Sequence, residues 1–312
     1  MPRYLVTGGG GFIGSHIVSA LLAQDMQVRV LENFFMGRRV NLAPYADRIE
    51  LIEGDVRSYH VVQEAVTNVD YVLHQAALTS VPRSVRDPIT TAEVNVLGTL
   101  NLLRAARDAG VKRLVFASSS SVYGDSPILP KTELMPCEPI SPYAISKLTG
   151  KQYCRSFWRL YGLPTVCLRY FNVFGPRQDF ASQYSAVIPR FIRALLRGDS
   201  LTVNGDGQQS RDFTYVANVV HANILACQAS DVAGKVFNVA TGRRSTLLEL
   251  IGLLSEMIGR TSQVIHAPSR AGDVPHSHAD ISSAWMLLDY RPIVILEEGL
   301  RKTVQWFQEN LG

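Results

Sequence analysis

Three side chains in this sequence have the types and spacing for proton transfer. Tyr143 and Lys147 stand four apart in Ser141-Pro-Tyr-Ala-Ile-Ser-Lys147, and Ser119 lies in the run Ser118-Ser-Ser-Ser121. Residues at i and i+4 share one helix face, so the tyrosine and the lysine point the same way. A free tyrosine titrates near pH 10, too high for a base at neutral pH. An ammonium beside it favours the phenolate, and a serine hydroxyl can relay or orient the proton. Tyr-x-x-x-Lys recurs by chance on exposed helix faces, so its weight here depends on its surroundings.

The strongest of those surroundings is a glycine-rich turn, Thr7-Gly-Gly-Gly-Gly-Phe-Ile-Gly14, between a strand-like run and a helical one. Gly8, Gly11 and Gly14 stand three apart, and Gly9-x-Gly11-x-x-Gly14 fits the dinucleotide-binding fingerprint. Such a turn needs positive φ, close approach of backbone to a pyrophosphate, and tight packing of helix on strand. The pyrophosphate then meets unpaired N–H groups at the positive end of the helix dipole. An acidic residue should end the second strand and hold the adenosine ribose, and Glu32, 18 residues after Gly14, takes that place. A carboxylate there repels a 2′-phosphate, which favours NAD over NADP. Arg38 and Arg39 nearby argue the other way, unless they are simply a solvated loop. Asp55 follows the third strand, placed for the adenine amine or for a helix N-cap.

These residues need a scaffold, and the first 170 residues describe one. Strand-like runs at 4–6, 28–31, 50–52, 71–74, 114–117 and 166–169 alternate with helical patterns such as 13–23, 61–66 and 93–106. That order predicts an α/β fold, a Rossmann-type doubly wound parallel sheet, with hydroxyls at the end of the fifth run facing the ligand crevice. Beyond Phe171, loop signals separate helices at 188–197, 219–229 and 247–258. We expect a dinucleotide-binding domain over 1–170 and a smaller α/β substrate domain over 171–312, partly interleaved.

Composition excludes more than it selects. Of 312 residues 46% are hydrophobic, the net charge is +4, and the basic residues are scattered, so no nucleic-acid partner is expected. The four cysteines form no Cys-x-x-Cys pair. No apolar run approaches the roughly 18 residues of a membrane helix, and no signal-peptide pattern precedes the first strand. A cytoplasmic protein without a membrane association is expected. His276 and His278, beside Asp273 and Asp280, lack a convincing third ligand, and no metal is expected.

Taken in order, the motifs resemble the extended short-chain dehydrogenase/reductase family, in particular its nucleotide-sugar epimerase and dehydratase group. The resemblance spans the chain: the glycine turn, His74-Gln-Ala-Ala77, Val94-Asn-Val-Leu-Gly98, the Tyr143/Lys147 pair, Arg169-Tyr-Phe-Asn172, Gly205-Asp-Gly-Gln-Gln-Ser-Arg-Asp-Phe213 and Gly272-Asp273. It implies NAD as cofactor, bound by Gly8, Gly11, Phe12, Ile13, Gly14, Glu32, Asn33, Asp55, Val56, Gln75, Ala76, Ala77, Asn95 and Tyr170 with Tyr143 and Lys147. It implies a UDP-sugar substrate held by Ser120, Ser121, Asn172, Arg211, Arg270, Asp273 and Ser277. It also implies a homodimer formed through helices near 95–107 and 143–161.

Family members begin alike: tyrosinate takes the sugar C4 hydroxyl proton while C4 hydride passes to NAD⁺, giving a 4-keto sugar. Dehydratases carry Asp-Glu just after the catalytic Ser/Thr, and decarboxylating relatives carry a glutamate there. Here those positions are Ser120 and Ser121. Without a carboxylate to take the C5 proton, elimination has no catalyst, and return of the hydride to the other face makes a 4-epimerase. Ser277 stands where epimerases restricted to plain hexoses carry a tyrosine, leaving room for an N-acetyl group. UDP-glucose/UDP-galactose, UDP-N-acetylhexosamines and their uronic acids all stay open. The rivals are a 4,6-dehydratase or decarboxylase, separated by product mass, and a non-catalytic NAD-binding redox sensor, which would not need the Ser–Tyr–Lys set.

Overall fold

The six apolar runs are too short and too rich in branched residues for buried helices, and they form strands. The computed structural model describes residues 1–179, 186–268 and 275–310. In it the runs are β1 (Arg3–Thr7), β2 (Gln27–Glu32), β3 (Ile49–Glu53), β4 (Tyr71–His74), β5 (Arg113–Ser119) and β6 (Thr165–Tyr170). The later part adds β7 (Val173–Phe174), β8 (Leu201–Asn204), β9 (Ser210–Arg211), β10 (Thr214–Tyr215), β11 (Val236–Val239), β12 (Ser245–Thr246) and β13 (Val264–Ala267). The main sheet runs β3-β2-β1-β4-β5-β6-β11, and every pairing in it is parallel. Strand order reverses between β1 and β4, which opens a ligand crevice beyond their carboxyl ends. The three short pairs β7–β10, β8–β13 and β9–β12 lie outside this sheet.

Helices cover both faces. They are α1 (Phe12–Leu22), α2 (Tyr59–Val66), α3 (Val81–Arg86), α4 (Pro88–Ala92), α5 (Gly98–Asp108), α6 (Pro142–Tyr161), α7 (Val187–Arg197), α8 (Val216–Gln228), α9 (Leu247–Ile258), α10 (Ser282–Leu288) and α11 (Leu296–Asn310). One core packs α1 and α8 against the sheet, with Ile17, Leu21, Val219 and Ala226 all buried. The opposite core joins α2, α5 and α6 through Val62, Leu102, Leu103 and Phe157. Near-continuous burial of β5 and β6 follows from being covered on two faces. A third core links α7, α9 and α11.

The 93–106 pattern divides into a π turn, Glu93–Leu97, followed by α5. The Thr99 hydroxyl donates to the Asn95 carbonyl at 2.6 Å, and Asn95 is buried with its amide drawn onto neighbouring elements. A helix widened by one residue accommodates that anchorage. The strand β11, from the later part of the chain, was not legible as a member of the main sheet. Val236–Val239 is only four residues, and its pairing with β6 depends on a contact with a distant segment.

Candidate active site

The cofactor crevice begins at the turn after β1. Gly8 has φ +71°, and a Cβ there would lie 2.7 Å from the Ala76 nitrogen, so the turn and the strand β4 loop close on each other only without a side chain. A Cβ on Gly14 would lie 2.1 Å from the Gly8 carbonyl oxygen. Gly11 is the N-cap of α1 and offers no capping side chain, so the first N–H groups of Phe12, Ile13 and Gly14 point at the crevice without an intrahelical partner. This is the donor set an anionic pyrophosphate fits. Phe12 and Ile13 also pack toward the third core.

At the end of β2, Glu32 is buried. Its Oε2 accepts from the Gly10 N–H at 3.0 Å, and its Oε1 accepts from the N–H groups of Asn33 and Phe34 at 3.0 and 2.9 Å. Asn33 Nδ2 donates to Asp55 Oδ2 at 2.9 Å. Hydrogen bonds from Arg57 to Asp55 hold its carboxyl below the usual range. Arg39 is bound to both Glu53 oxygens at 2.6 and 2.7 Å, and Arg38 to Asp179 at 3.1 Å. Both arginines of this loop therefore already face carboxylates, as a charged loop rather than a phosphate fork.

Behind the crevice a chain of buried hydroxyls fixes the loop after β4. The Thr99 hydroxyl gives its proton to the Asn95 carbonyl, so it accepts from His74 Nε2 at 2.9 Å. His74 Nδ1 therefore accepts from the Thr7 hydroxyl at 2.7 Å, and Thr7 Oγ1 accepts the Ala76 N–H at 3.3 Å. Val56 is buried and shares a contact surface with Gly98. Ala77 follows in the same loop. Gln75 donates to the Tyr170 hydroxyl and to Asn223 Oδ1, each at 3.1 Å. Asn223 in turn donates to Tyr170 at 2.8 Å. Asn223, on α8, was missed from sequence; its signal was a buried-helix pattern interrupted by Asn218, His221 and Asn223 in Val-Ala-Asn-Val-Val-His-Ala-Asn-Ile-Leu.

The three residues expected to transfer protons lie at the end of β5 and in the first turns of α6. Ser141 caps α6, its hydroxyl accepting from the Ala144 N–H at 3.2 Å, with Pro142 in the first turn. That places Tyr143 and Lys147 on the face toward β5. Lys147 is buried and its Nζ donates to the Ala117 carbonyl at 2.8 Å, 5.1 Å from the Phe116 ring centroid. Burial lowers its pKa to about 8. Burial raises the pKa of Tyr143 and outweighs the lowering influence of the neighbouring Ser119 hydroxyl. Ser119 caps a 3₁₀ turn, Ser120–Tyr123, and accepts from Ser121 N–H and Oγ at 3.2 and 2.9 Å. Two further hydroxyls orient the tyrosine backbone. Ser84 Oγ accepts from Tyr143 N–H at 3.1 Å, and Ser146 Oγ donates to the Tyr143 carbonyl at 2.7 Å while accepting from Asn95 Nδ2 at 3.0 Å.

Asn172, Arg211 and Ser277 come together in the later part of the chain. Asn172 Nδ2 donates to the Ser277 hydroxyl at 3.3 Å and to the Asp212 carbonyl at 3.1 Å. Arg211 Nη1 reaches the Pro275 carbonyl at 2.9 Å. Asn172 and Arg211 line a cavity of about 250 Å³ with Phe174, Ile188, Arg190 and Asn204. None of Ser119, Tyr143 and Lys147 lines it. Arg270 and Asp273 lie outside the described residues. His276 pairs with Ser210 Oγ, His278 with the Gly242 carbonyl, and no metal-binding group of three ligands occurs among the described residues. Among them, no helix is long and apolar enough to cross a membrane.

Comparison with known proteins agrees with this geometry. The structure is similar to that of a UDP-N-acetylglucosamine 4-epimerase from Methanobrevibacter ruminantium M1 in complex with UDP-N-acetylmuramic acid, at 42% identity and TM-score 0.95, covering 99% of this chain and 98% of that one. It is also similar to a UDP-glucose 4-epimerase from Thermotoga maritima with UDP-glucose, at 38% identity and TM-score 0.94, covering 99% and 100% of the two chains. A UDP-glucose 4-epimerase of Mycolicibacterium smegmatis is 39% identical over 312 residues, 99% of each chain. Residues 4–240 match the family model described as NAD dependent epimerase/dehydratase. The chain belongs to the NAD dependent epimerase/dehydratase family, and it is an NAD-dependent enzyme.

Proposed function

We propose that the protein is a UDP-hexose 4-epimerase that also accepts 2-acetamido sugars. The observation that carries this reading is the surroundings of Ser119: Tyr143 lies beside it, Lys147 reaches the Ala117 carbonyl two residues earlier on β5, and the next two positions are serines. Those hydroxyls can orient a sugar but cannot remove a C5 proton, so a 4-keto sugar formed at this site has only reduction open to it. Ser119 sets the Tyr143 hydroxyl against the sugar C4 hydroxyl, and Tyr143 takes that proton and later returns it. Lys147 keeps the helix face positively charged below its pKa of about 8. NAD, when bound, would supply the hydride acceptor for C4 and, in its oxidised ring, the positive charge that a buried phenolate needs.

We assign residues 1–170 to the dinucleotide and 171–312 to the nucleotide-sugar. Gly8, Gly11, Phe12, Ile13 and Gly14 would hold the pyrophosphate, and Glu32, Asn33, Asp55 and Val56 the adenosine. Gln75, Ala76, Ala77, Asn95 and Tyr170 form the wall near the reacting end. Asn172 and Arg211, with Arg270 and Asp273, hold the UDP group, and Ser120, Ser121 and Ser277 the sugar. The small Ser277 side chain, beside Asn172, supports acceptance of an N-acetyl group. Exposed Leu97, Ile145, Leu160 and Tyr161 on and beside α5 and α6 support a homodimer through those helices, and four free cysteines support a cytoplasmic setting. Incubation with a panel of UDP-sugars without added cofactor, read by NMR, should give C4 epimers of unchanged mass. Turnover with loss of water or CO₂, or no turnover of any of them, would overturn the assignment.

A further inference from the structure

Behind the 3₁₀ turn that carries Ser119, Ser120 and Ser121 lies a buried polar core that the proposed mechanism leaves unused. Tyr123 closes the turn and is 1% exposed. Its hydroxyl accepts from Arg169 Nη1 and donates to Asn238 Oδ1, both at 2.7 Å. The guanidinium also stacks 4.6 Å from the Tyr123 ring centroid and reaches Cys137 Sγ at 3.2 Å through Nη2. Ser118, Arg169 and Asn238 are register partners on β5, β6 and β11, one row across three strands. Asn238 is itself held, donating to the carbonyls of Lys131 and Asp280 at 2.9 and 3.1 Å, and from its backbone N–H to Glu133 Oε1 at 2.8 Å.

Arg169 is 1% exposed, and its hydrogen-bond partners are a neutral phenol and a thiol; its buried Nε has none. A guanidinium so placed costs stability that an apolar side chain of similar volume would not. The cost has a rationale if the geometry it imposes matters. We propose that Arg169, Tyr123 and Asn238 are positioning residues that brace the far end of this turn and so hold the Ser119 hydroxyl against Tyr143. The turn is then fixed twice, by Ser119 accepting from Ser121 at its start and by Tyr123 at its end. Burial pushes the Tyr123 phenol up to about 12 against the pull of Arg169, so it stays protonated and keeps its bond to Asn238. The brace also ties the serine turn to β11, a strand from the part of the chain that carries Arg211 and Ser277.

This inference rests on the reading of Ser119 and Tyr143 as the proton-transfer pair, and a double-mutant cycle separates the two. Tyr123→Phe removes only the hydroxyl. Its kcat should fall roughly tenfold through misplacement of Ser119, with the NAD retained on purification unchanged within about twofold. In a Ser119→Ala background the same change should alter kcat by less than about twofold, because its effect passes through Ser119. Equal losses in both backgrounds, or no loss from Tyr123→Phe, would overturn the brace. Undiminished turnover in Ser119→Ala alone would refute the proton-transfer reading and the brace with it. Should Tyr123→Phe fail to fold, Arg169→Lys, which keeps the charge and the phenol, is read in the same cycle against the same outcomes.

Discussion

Acidification should weaken this fold through a histidine that no solvent reaches. His74 is 1% exposed, accepts from Thr7 on one nitrogen and donates to Thr99 on the other, and burial lowers its pKa to about 3. An unfolded histidine titrates near 6.5, so between that value and about 3 the unfolded chain binds a proton that the folded chain refuses. The depression is a penalty on the protonated folded form: it is absent above about pH 6.5 and destabilises the fold as pH falls, at about 1.4 kcal/mol per unit. Between pH 7 and 5 the loss from His74 is about 2 kcal/mol. His16, lowered to about 4 by burial on α1, contributes a similar amount in the same window. Asp212 and Glu133, whose burial raises their pKa, act with the opposite sign, but equally in parent and variant. Urea midpoints at pH 7 and 5 should therefore differ less in His74→Gln than in the parent, by about 2 kcal/mol once converted with the slope. An unchanged pH difference in His74→Gln would refute the argument, whatever that substitution costs at pH 7.

Tyr143→Phe should lower turnover by roughly 10²- to 10⁴-fold, while circular dichroism and retained NAD stay as in the parent. Gly14→Ala places a Cβ 2.1 Å from the Gly8 carbonyl oxygen; the turn must shift, and the purified protein should lose its NAD, as judged by absorbance after acid release. Ser277→Tyr should suppress turnover of UDP-N-acetylhexosamines by about tenfold or more, a difference of at least 1.4 kcal/mol, while sparing UDP-glucose, measured by competition between the two. Glu32→Gln should raise the affinity for NADP relative to NAD, read by fluorescence titration of the cofactor-stripped protein, because it removes a carboxylate held by three backbone N–H groups at the end of β2.

The sequence made most of the first 170 residues legible because there the signals are local. Each strand from β1 to β6 is a compact branched run, and the glycines of the first turn show as a spacing within seven residues, although the contacts that require them reach Val30, Glu32 and Ala76. The i, i+4 spacing of Tyr143 and Lys147 placed both on one face of α6, although Lys147 addresses the Ala117 carbonyl and the tyrosine pKa moves upward, not downward. Spacing gives direction; it does not give burial. What stayed hidden depends on distant partners: Asn223 meeting Gln75 and Tyr170, Ser84 meeting Tyr143, and Arg169 meeting Tyr123 and Asn238. Arg169 inside the apolar run Thr165–Tyr170 was a visible trace of its network, whereas Ser84, between arginines, left none.

The order in which the sheet is completed has a consequence for biosynthesis. β6 ends at Tyr170, and its outer neighbour β11 begins at Val236. At about 5–20 residues per second, roughly 3–13 s of elongation separate the two. Throughout that interval the six-stranded sheet carries an unpaired edge of wholly buried side-chain positions, Thr165–Tyr170, the kind of edge that recruits other chains. A nascent chain stalled in that stretch, or a fragment ending near residue 170, should bind holdase chaperones and aggregate, whereas release past β11 closes the edge.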